Sequence, residues 1–266
     1  MRSAAWIGLL GLLGCLGRYG EPPAAISAGL GYIRSLAPTP RATLLAATET
    51  GLHEVDAAGR FVTLWPEPSR AVSGHPDRVY VLADEALHIG PWPAPDGLFT
   101  PTKRYPYPEA RDLLAWREGT LLIAIADRVD LFDPRSGTAA PWARAPEPVL
   151  ALALQPGDAG PAGLILTRTT LQRKRGPQLE TLVEGLHDAT AVGVDRFGRI
   201  WLVDGDALYG LDEEGTLLRR AEAPAGAADL HFSEAEGALP LDQAYLASPA
   251  GRVEVVRVAP PSAPGP

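Results

Sequence analysis

Six segments of the chain are written to one pattern, and this repetition restricts the fold more than any other feature. They begin at Leu44, Val79, Leu121, Leu164, Ile200 and Ala244, 35 to 44 residues apart. They read LLAATETGLHEVDAAG, VYVLADEALHIGPWPAPDG, LLIAIADRVDLFDPRSG, LILTRTTLQRKRGPQ, IWLVDGDALYGLDEEG and AYLASPAGRVEVVRV. Each is a short apolar run, a polar turn and a second, alternating run, often closed by a glycine turn. A further run usually precedes the unit, as in DLLAW (112–116), VLALAL (149–154), TAVGV (190–194) and ADLHF (228–232). Another often follows, as in FVTLW (61–65) and TLLRRA (216–221). Alternation with period two, bounded by turn residues, predicts strands. Several strands repeated at this period predict an all-β, six-bladed β-propeller with about four antiparallel strands per blade.

The sixth unit stops after its third strand, near Val258, while AAISAGLGYI from Ala24 is β-like sequence with no unit of its own. The expectation is that this N-terminal piece adds the missing outer strand of the last blade and so removes an unpaired edge. In DAAG from Asp56, DPRSG from Asp133 and DEEG from Asp212, an Asp can bond turn amides while Gly takes positive φ. The predicted propeller covers residues 24–258, and the Pro-rich 259–266 is expected to be a disordered tail.

A chain of 266 residues can build a core without disulfides or metal. Its net charge of -8 argues against nucleic acid, whose binders need clustered cations. It contains no asparagine, hence no N-glycosylation acceptor.

The lone cysteine closes an N-terminal apolar run. In MRSAAWIGLLGLLGC, Arg2 gives a positive start and Ala4 to Gly14 an apolar stretch too short to span a bilayer. Leu12-Leu13-Gly14-Cys15 resembles the bacterial lipobox, which implies a signal peptide at 1–14 and diacylglyceryl transfer to the Cys15 thiol. Residues 15–23 would then be the lipidated Cys and its tether. Two acyl chains suffice for stable anchoring. Leu16, not Asp, follows the Cys. By resemblance to enterobacterial sorting this implies an outer-membrane lipoprotein facing the periplasm.

ATAVGVDRFGRIWLVDGDALYGLDEEGTLLRR, Ala189 to Arg220, resembles the NHL and gluconolactonase-type propeller repeat: apolar strand, Asp-x-x-Gly turn, aromatic-bearing strand, Asp, then another strand and turn. The gluconolactonase resemblance implies lactone hydrolysis on a metal held by Glu, Asp and asparagine side chains at the channel mouth. Asp204 is the residue that resemblance would place at the Asp position. The asparagines have no counterpart in this chain, and that family's early Glu-Gly-Pro motif is missing.

Aligning the six first runs places Glu49, Asp84, Asp127, Arg168, Asp204 and Ser248 at equivalent points, which would ring one mouth of the channel. Carboxylates there could hold Ca²⁺; the preferred expectation is that each caps its own turn amides. His53 and His88 occupy like places in neighbouring units, which predicts packing. His187 with Asp188 is the acid–base candidate, since a carboxylate raises a neighbouring imidazole pKa, yet no nucleophile accompanies the pair. Lys103, Arg104, Tyr105 and Tyr107 lie in TPTKRYPYPEAR, the longest link between units. That link reads as a partner-contacting loop or as a stiff spacer. QRKRG from Gln172 is a basic hairpin tip. The expected function is a membrane-tethered binding or scaffold module for a protein or envelope component, with no cofactor and no assigned catalytic residue. The alternative is a metal-dependent lactonase-like hydrolase.

Overall fold

The computed structural model describes residues 24–25, 30–94, 97–157, 160–224, 226–232 and 243–258. Among them are 24 strands and one 3-10 turn at Arg117–Gly119. A two-residue strand, β1 (Ala24–Ala25), comes first. Blade 1 follows with β2 (Ile33–Pro38), β3 (Leu44–Thr48), β4 (Gly51–Val55) and β5 (Phe61–Trp65). Blade 2 has β6 (Ser69–His75), β7 (Arg78–Ala83), β8 (Ala86–Pro91) and β9 (Lys103–Pro106). Blade 3 has β10 (Ala110–Ala115), β11 (Leu121–Ile125), β12 (Arg128–Asp133) and β13 (Thr138–Arg144). Blade 4 has β14 (Ala151–Gln155), β15 (Ala162–Leu166), β16 (Thr170–Arg175) and β17 (Gln178–Glu184). Blade 5 has β18 (Ala189–Val194), β19 (Ile200–Asp204), β20 (Ala207–Leu211) and β21 (Leu217–Glu222). The last three strands are β22 (Asp229–Phe232), β23 (Gln243–Ser248) and β24 (Arg252–Arg257).

Every sheet has four strands, and all pairings are antiparallel between consecutive strands except one. That one closes the ring: β1 pairs with β24, Ala24 opposite Val255 and Ala25 opposite Glu254, so the sixth sheet runs β1-β24-β23-β22. The N-terminal strand therefore completes the last blade, as the truncated sixth unit predicts. The innermost strands touch in cyclic order, β2 to β6, β10, β14, β18, β22 and back to β2. The molecule is a closed six-bladed β-propeller.

Each blade packs a neighbour on both of its faces, and this explains why its second strand is an unbroken apolar run rather than an alternating one. LLAAT in β3, LLIAI in β11 and AGLIL in β15 are buried at every position. Alternate residues go to opposite seams: Leu44 and Ala46 face blade 6, whereas Leu45 and Ala47 face blade 2. A fully buried Leu contributes about 1.5–3 kcal/mol. The outer strands are sheet edges and carry charge and proline instead, as in TAAPWAR of β13 and LLRRAE of β21.

The Asp turns form as expected. The Asp56 carboxylate accepts the N–H groups of Ala58 and Arg60, both at 2.9 Å, and Asp212 accepts those of Glu214 and Thr216. Gly51, opening β4, sits at φ +145°, and a Cβ there would stand 2.2 Å from the Trp65 carbonyl oxygen. Gly51→Ala is therefore expected to cost at least about 1–3 kcal/mol in urea denaturation, the range for an imposed backbone strain.

TPTKRYPYPEAR departs from its sequence reading as a linking loop. Residues 103–106 are β9, the outer strand of blade 2. Tyr105 and Tyr107 pack edge-on against Phe132 of blade 3, at 4.9 and 5.5 Å between ring centroids. The Lys103 ammonium and the Tyr105 hydroxyl both donate to the Pro134 carbonyl, at 2.9 and 3.0 Å. These side chains join two blades because an outer strand needs an apolar seam as much as the inner ones do.

Candidate functional site: the axial channel and its mouth

The inner strands align through their register with the second strands. Ser35, Ala71, Asp112, Ala151, Ala191 and Asp229 sit opposite Ala47, Leu82, Ala124, Leu166, Val203 and Ala247. They form one level of the channel. Immediately before them, at the mouth, come Arg34, Arg70, Arg111, Leu150, Thr190 and Ala228. Register breaks mark bulges at Arg34, Arg70, Arg111 and Thr190. A bulge re-aims a side chain without breaking the sheet.

Asp112 and Asp229 lie on blades 3 and 6, opposite one another across the ring. Each carboxylate bridges to the next blade. Asp112 accepts the N–H groups of Leu113 and, across the seam, Leu152, both at 2.8 Å. Asp229 accepts those of Leu230 at 2.8 Å and Leu36 at 2.7 Å. Ser35 and Ser73 make the corresponding stitches to Val72 and Ala115. His231, two residues beyond Asp229 and on the same side of β22, brings its Nε2 to 3.4 Å from Asp229 Oδ2.

Burial pushes the Asp112 carboxyl up to about 7, with the charge of Asp229 acting in the same direction and the two N–H donors opposing it. Burial also opposes ionisation of Asp229, but the neighbouring His231 and hydrogen bonds from His231, Leu36 and Leu230 hold it below the ordinary carboxylate value. Near neutrality the axis thus holds one carboxyl that is still partly protonated and one carboxylate beside an imidazole. Opposed pKa values in neighbouring titratable groups are the usual arrangement of an acid and a base.

The expected mouth ring is dispersed. Glu49 pairs with Arg34 at 3.2 Å, Asp84 with Arg104 at 3.2 Å, and Asp127 with Arg144 at 2.8 Å. Asp204 accepts the backbone N–H groups of His187 and Asp188, which fixes the loop leading into blade 5. Ser248 accepts the N–H of Ala250, and Arg168 occupies the hairpin between β15 and β16. These residues lie at or beside the hairpins between second and third strands, one strand away from the axis, and the four carboxylates and Ser248 serve nearby backbone N–H groups or an arginine. His187 and Asp188 are exposed and meet through Asp204, without a side-chain bond between them. His53 is buried among Thr48, Thr50 and Thr63, and His88 against Trp65, as packing residues. Burial lowers the pKa of both. Cys15 lies outside the described residues.

Asp112, Asp229, His231 and the three mouth arginines were not singled out in the sequence. A signal exists: DLLAW and ADLHF each carry an Asp at or next to the start of a mostly apolar inner strand, three blades apart.

No protein family's sequence profile matches the chain, and no curated protein matches it by sequence. Its fold is that of known six-bladed propellers of the gluconolactonase and regucalcin type. It is similar to a gluconolactonase from Xanthomonas campestris at 14% identity and a TM-score of 0.69, covering 92% of this chain and 97% of that one. It is also similar to a calcium-binding protein, regucalcin, from Agrobacterium tumefaciens (16% identity, TM-score 0.68, 89% and 94% covered). A virginiamycin B lyase from Staphylococcus aureus shares the fold less closely, at 8% identity and a TM-score of 0.57, with 89% and 88% covered. Hydrolase, calcium binder and lyase on one architecture place the function in the side chains of the site rather than in the fold.

Those side chains do not fit a divalent cation. Among the described residues no three His, Cys, Asp or Glu side chains gather as ligands. Three of the six mouth positions are arginine, which repels a cation, and the channel carboxylates are already committed to backbone N–H groups.

Proposed function

We propose that the protein is a lactonase-like hydrolase that opens a small cyclic ester in its axial channel with acid–base groups of its own. The supporting observation is the axial group in which burial raises the Asp112 carboxyl to about 7, so that it can donate a proton near neutrality, while Asp229 stays ionised beside His231. In this reading His231, oriented by Asp229, takes a proton from water as the water oxygen adds to the ring carbonyl. Asp112 gives its proton to the ring oxygen as the ring C–O bond breaks. One water is consumed and one hydroxy acid leaves. The structural neighbours favour this class over a scaffold that only binds.

The test is hydrolysis of a panel of lactones with and without a chelator. Turnover is expected to persist in the chelator and to fall by about 10²–10⁴-fold in His231→Gln, the usual contribution of a positioned general base. Absence of turnover on every lactone, or turnover that requires a divalent ion, would overturn the reading.

We also propose that the propeller works outside the cytoplasm on a lipid tether. Two facts support this: the lipobox-like LLGC at 12–15, and the incorporation of residues 24–25 into blade 6. The intervening residues reach at most about 30 Å, so the ring would stay close to the bilayer. Cys15→Ser is expected to move the protein from the membrane to the soluble fraction, and mass spectrometry of native material should find an acylated Cys15 terminus. An unmodified cysteine in membrane-derived protein would exclude the tether.

A further inference from the structure

The mouth of the channel is chemically divided. Its mouth positions are arginine on blades 1, 2 and 3, but Leu150, Thr190 and Ala228 on blades 4, 5 and 6. Arg34 and Arg70 line one pocket of ≈ 150 Å³ above blade 2, together with Asp84, Glu85, Tyr107 and Ala110. Leu82, Ala83 and Ala86 add apolar surface.

The two guanidiniums are held differently. The NH1 group of Arg70 donates to the carbonyls of Ala110 at 2.8 Å and Pro108 at 3.4 Å, which fixes the side chain. The remaining N–H groups of Arg70 have no partner among the described residues, and a guanidinium so placed presents a fork suited to a carboxylate. Among the described residues Arg34 pairs with Glu49 alone, in an exposed pair of the sort that contributes little. A second carboxylate can therefore take that place. Arg111 repeats the motif one blade further on, is exposed, and has no partner among the described residues. Burial raises the Tyr107 phenol to about 12, so it stays a hydrogen-bond donor at neutral pH. Across the pocket Glu85 can accept from a ligand hydroxyl, and Asp84 lies in an exposed pair with Arg104.

We propose that this pocket binds a small organic carboxylate, with Arg34 and Arg70 clasping the anion and the ligand's body on the apolar floor. The volume sets the size: a cavity of about 150 Å³ holds a molecule the size of benzene, about six heavy atoms. The inference does not depend on the hydrolase reading, because it concerns binding of an anion and not bond breakage.

The test is isothermal titration of the full chain with 4-hydroxybutyrate and with γ-butyrolactone, its uncharged ring-closed counterpart. It is run on the His231→Gln protein so that the ring is not opened during the experiment. The carboxylate is expected to bind at least about tenfold more tightly than the lactone, the ratio for one charge-assisted hydrogen bond. R34Q and R70Q are each expected to weaken carboxylate binding by a similar factor, while R144Q, paired with Asp127 on another blade, leaves it unchanged. Equal affinity for acid and lactone, no binding of the acid at millimolar concentration, or binding indifferent to R34Q would overturn the proposal. If R70Q fails to fold, R34Q decides alone, since among the described residues Arg34 has only a surface partner. Binding that survives while all lactone hydrolysis is absent would uphold this site and reject the reaction.

Discussion

Trp201→Ala is expected to lower the stability by about 3–5 kcal/mol, the range for deleting a buried tryptophan, and to lower the Tm by roughly 10 °C. Trp201 is 1% exposed and lies in the seam between blades 5 and 6 against Leu230, Phe232 and Leu246. Its cross-strand neighbours are both glycine, Gly193 on β18 and Gly210 on β20, and a Cβ on Gly210 would stand 2.9 Å from the ring. The blade therefore has a slot shaped for this indole, and neighbouring strands have no side chains to refill it. The indole N–H donates at 2.9 Å to Asp195 Oδ2, which also receives Arg199 Nε at 2.6 Å. Alanine leaves the void and strands one acceptor bond of the almost fully buried Asp195. Trp201→Phe should recover most of the packing but not the hydrogen bond. Urea titration of both variants separates the two contributions; a loss below about 1 kcal/mol for alanine would mean that the seam collapses onto the cavity.

Asp112→Asn is expected to reverse its effect with pH. In an unfolded chain Asp titrates near 3.9, whereas burial pushes Asp112 up to about 7. Between those values the native state keeps a proton that the unfolded state has released. Stability from this group is therefore present at low pH and lost as pH rises from about 4 to about 7, at up to about 1.4 kcal/mol per unit. Asp229 has the opposite sign. Its lowered pKa contributes stability above the unfolded value, and that contribution is lost only as pH falls below about 4. The two windows do not overlap. At pH 5 the asparagine variant forfeits one of the two backbone N–H bonds and should be about 1 kcal/mol less stable than wild type. At pH 8 it removes a buried charge and should be the more stable protein. Asp229→Asn should destabilise at both pH values, because it breaks the contact with His231 and weakens the bridge to Leu36. Denaturant midpoints at pH 5 and pH 8 read out all three proteins. A difference between Asp112→Asn and wild type that does not vary with pH would refute the assignment of the raised carboxyl.

The sequence by itself determined the strand repeat, the number of blades and the way the ring closes. Each follows from local order along the chain: apolar runs of five or six residues, Asp and Gly at hairpin turns, and a sixth unit one strand short. FVTLW became β5 residue for residue, and the spare N-terminal sequence supplied β1. Only the tertiary structure decided the site. Asp112 and Asp229 are more than one hundred residues apart, and Arg34 and Arg70 belong to different blades; radial packing brings each set together. Bulges at the mouth then aim the arginines, and burial separates the two carboxyl pKa values. A register break and a local dielectric are properties of packed strands, not of any short stretch of residues. For the same reason the equivalence assumed for Glu49, Asp84, Asp127, Arg168 and Asp204 did not become a ring. These residues sit one strand off the axis, and each of the four carboxylates found a turn amide or an arginine close at hand.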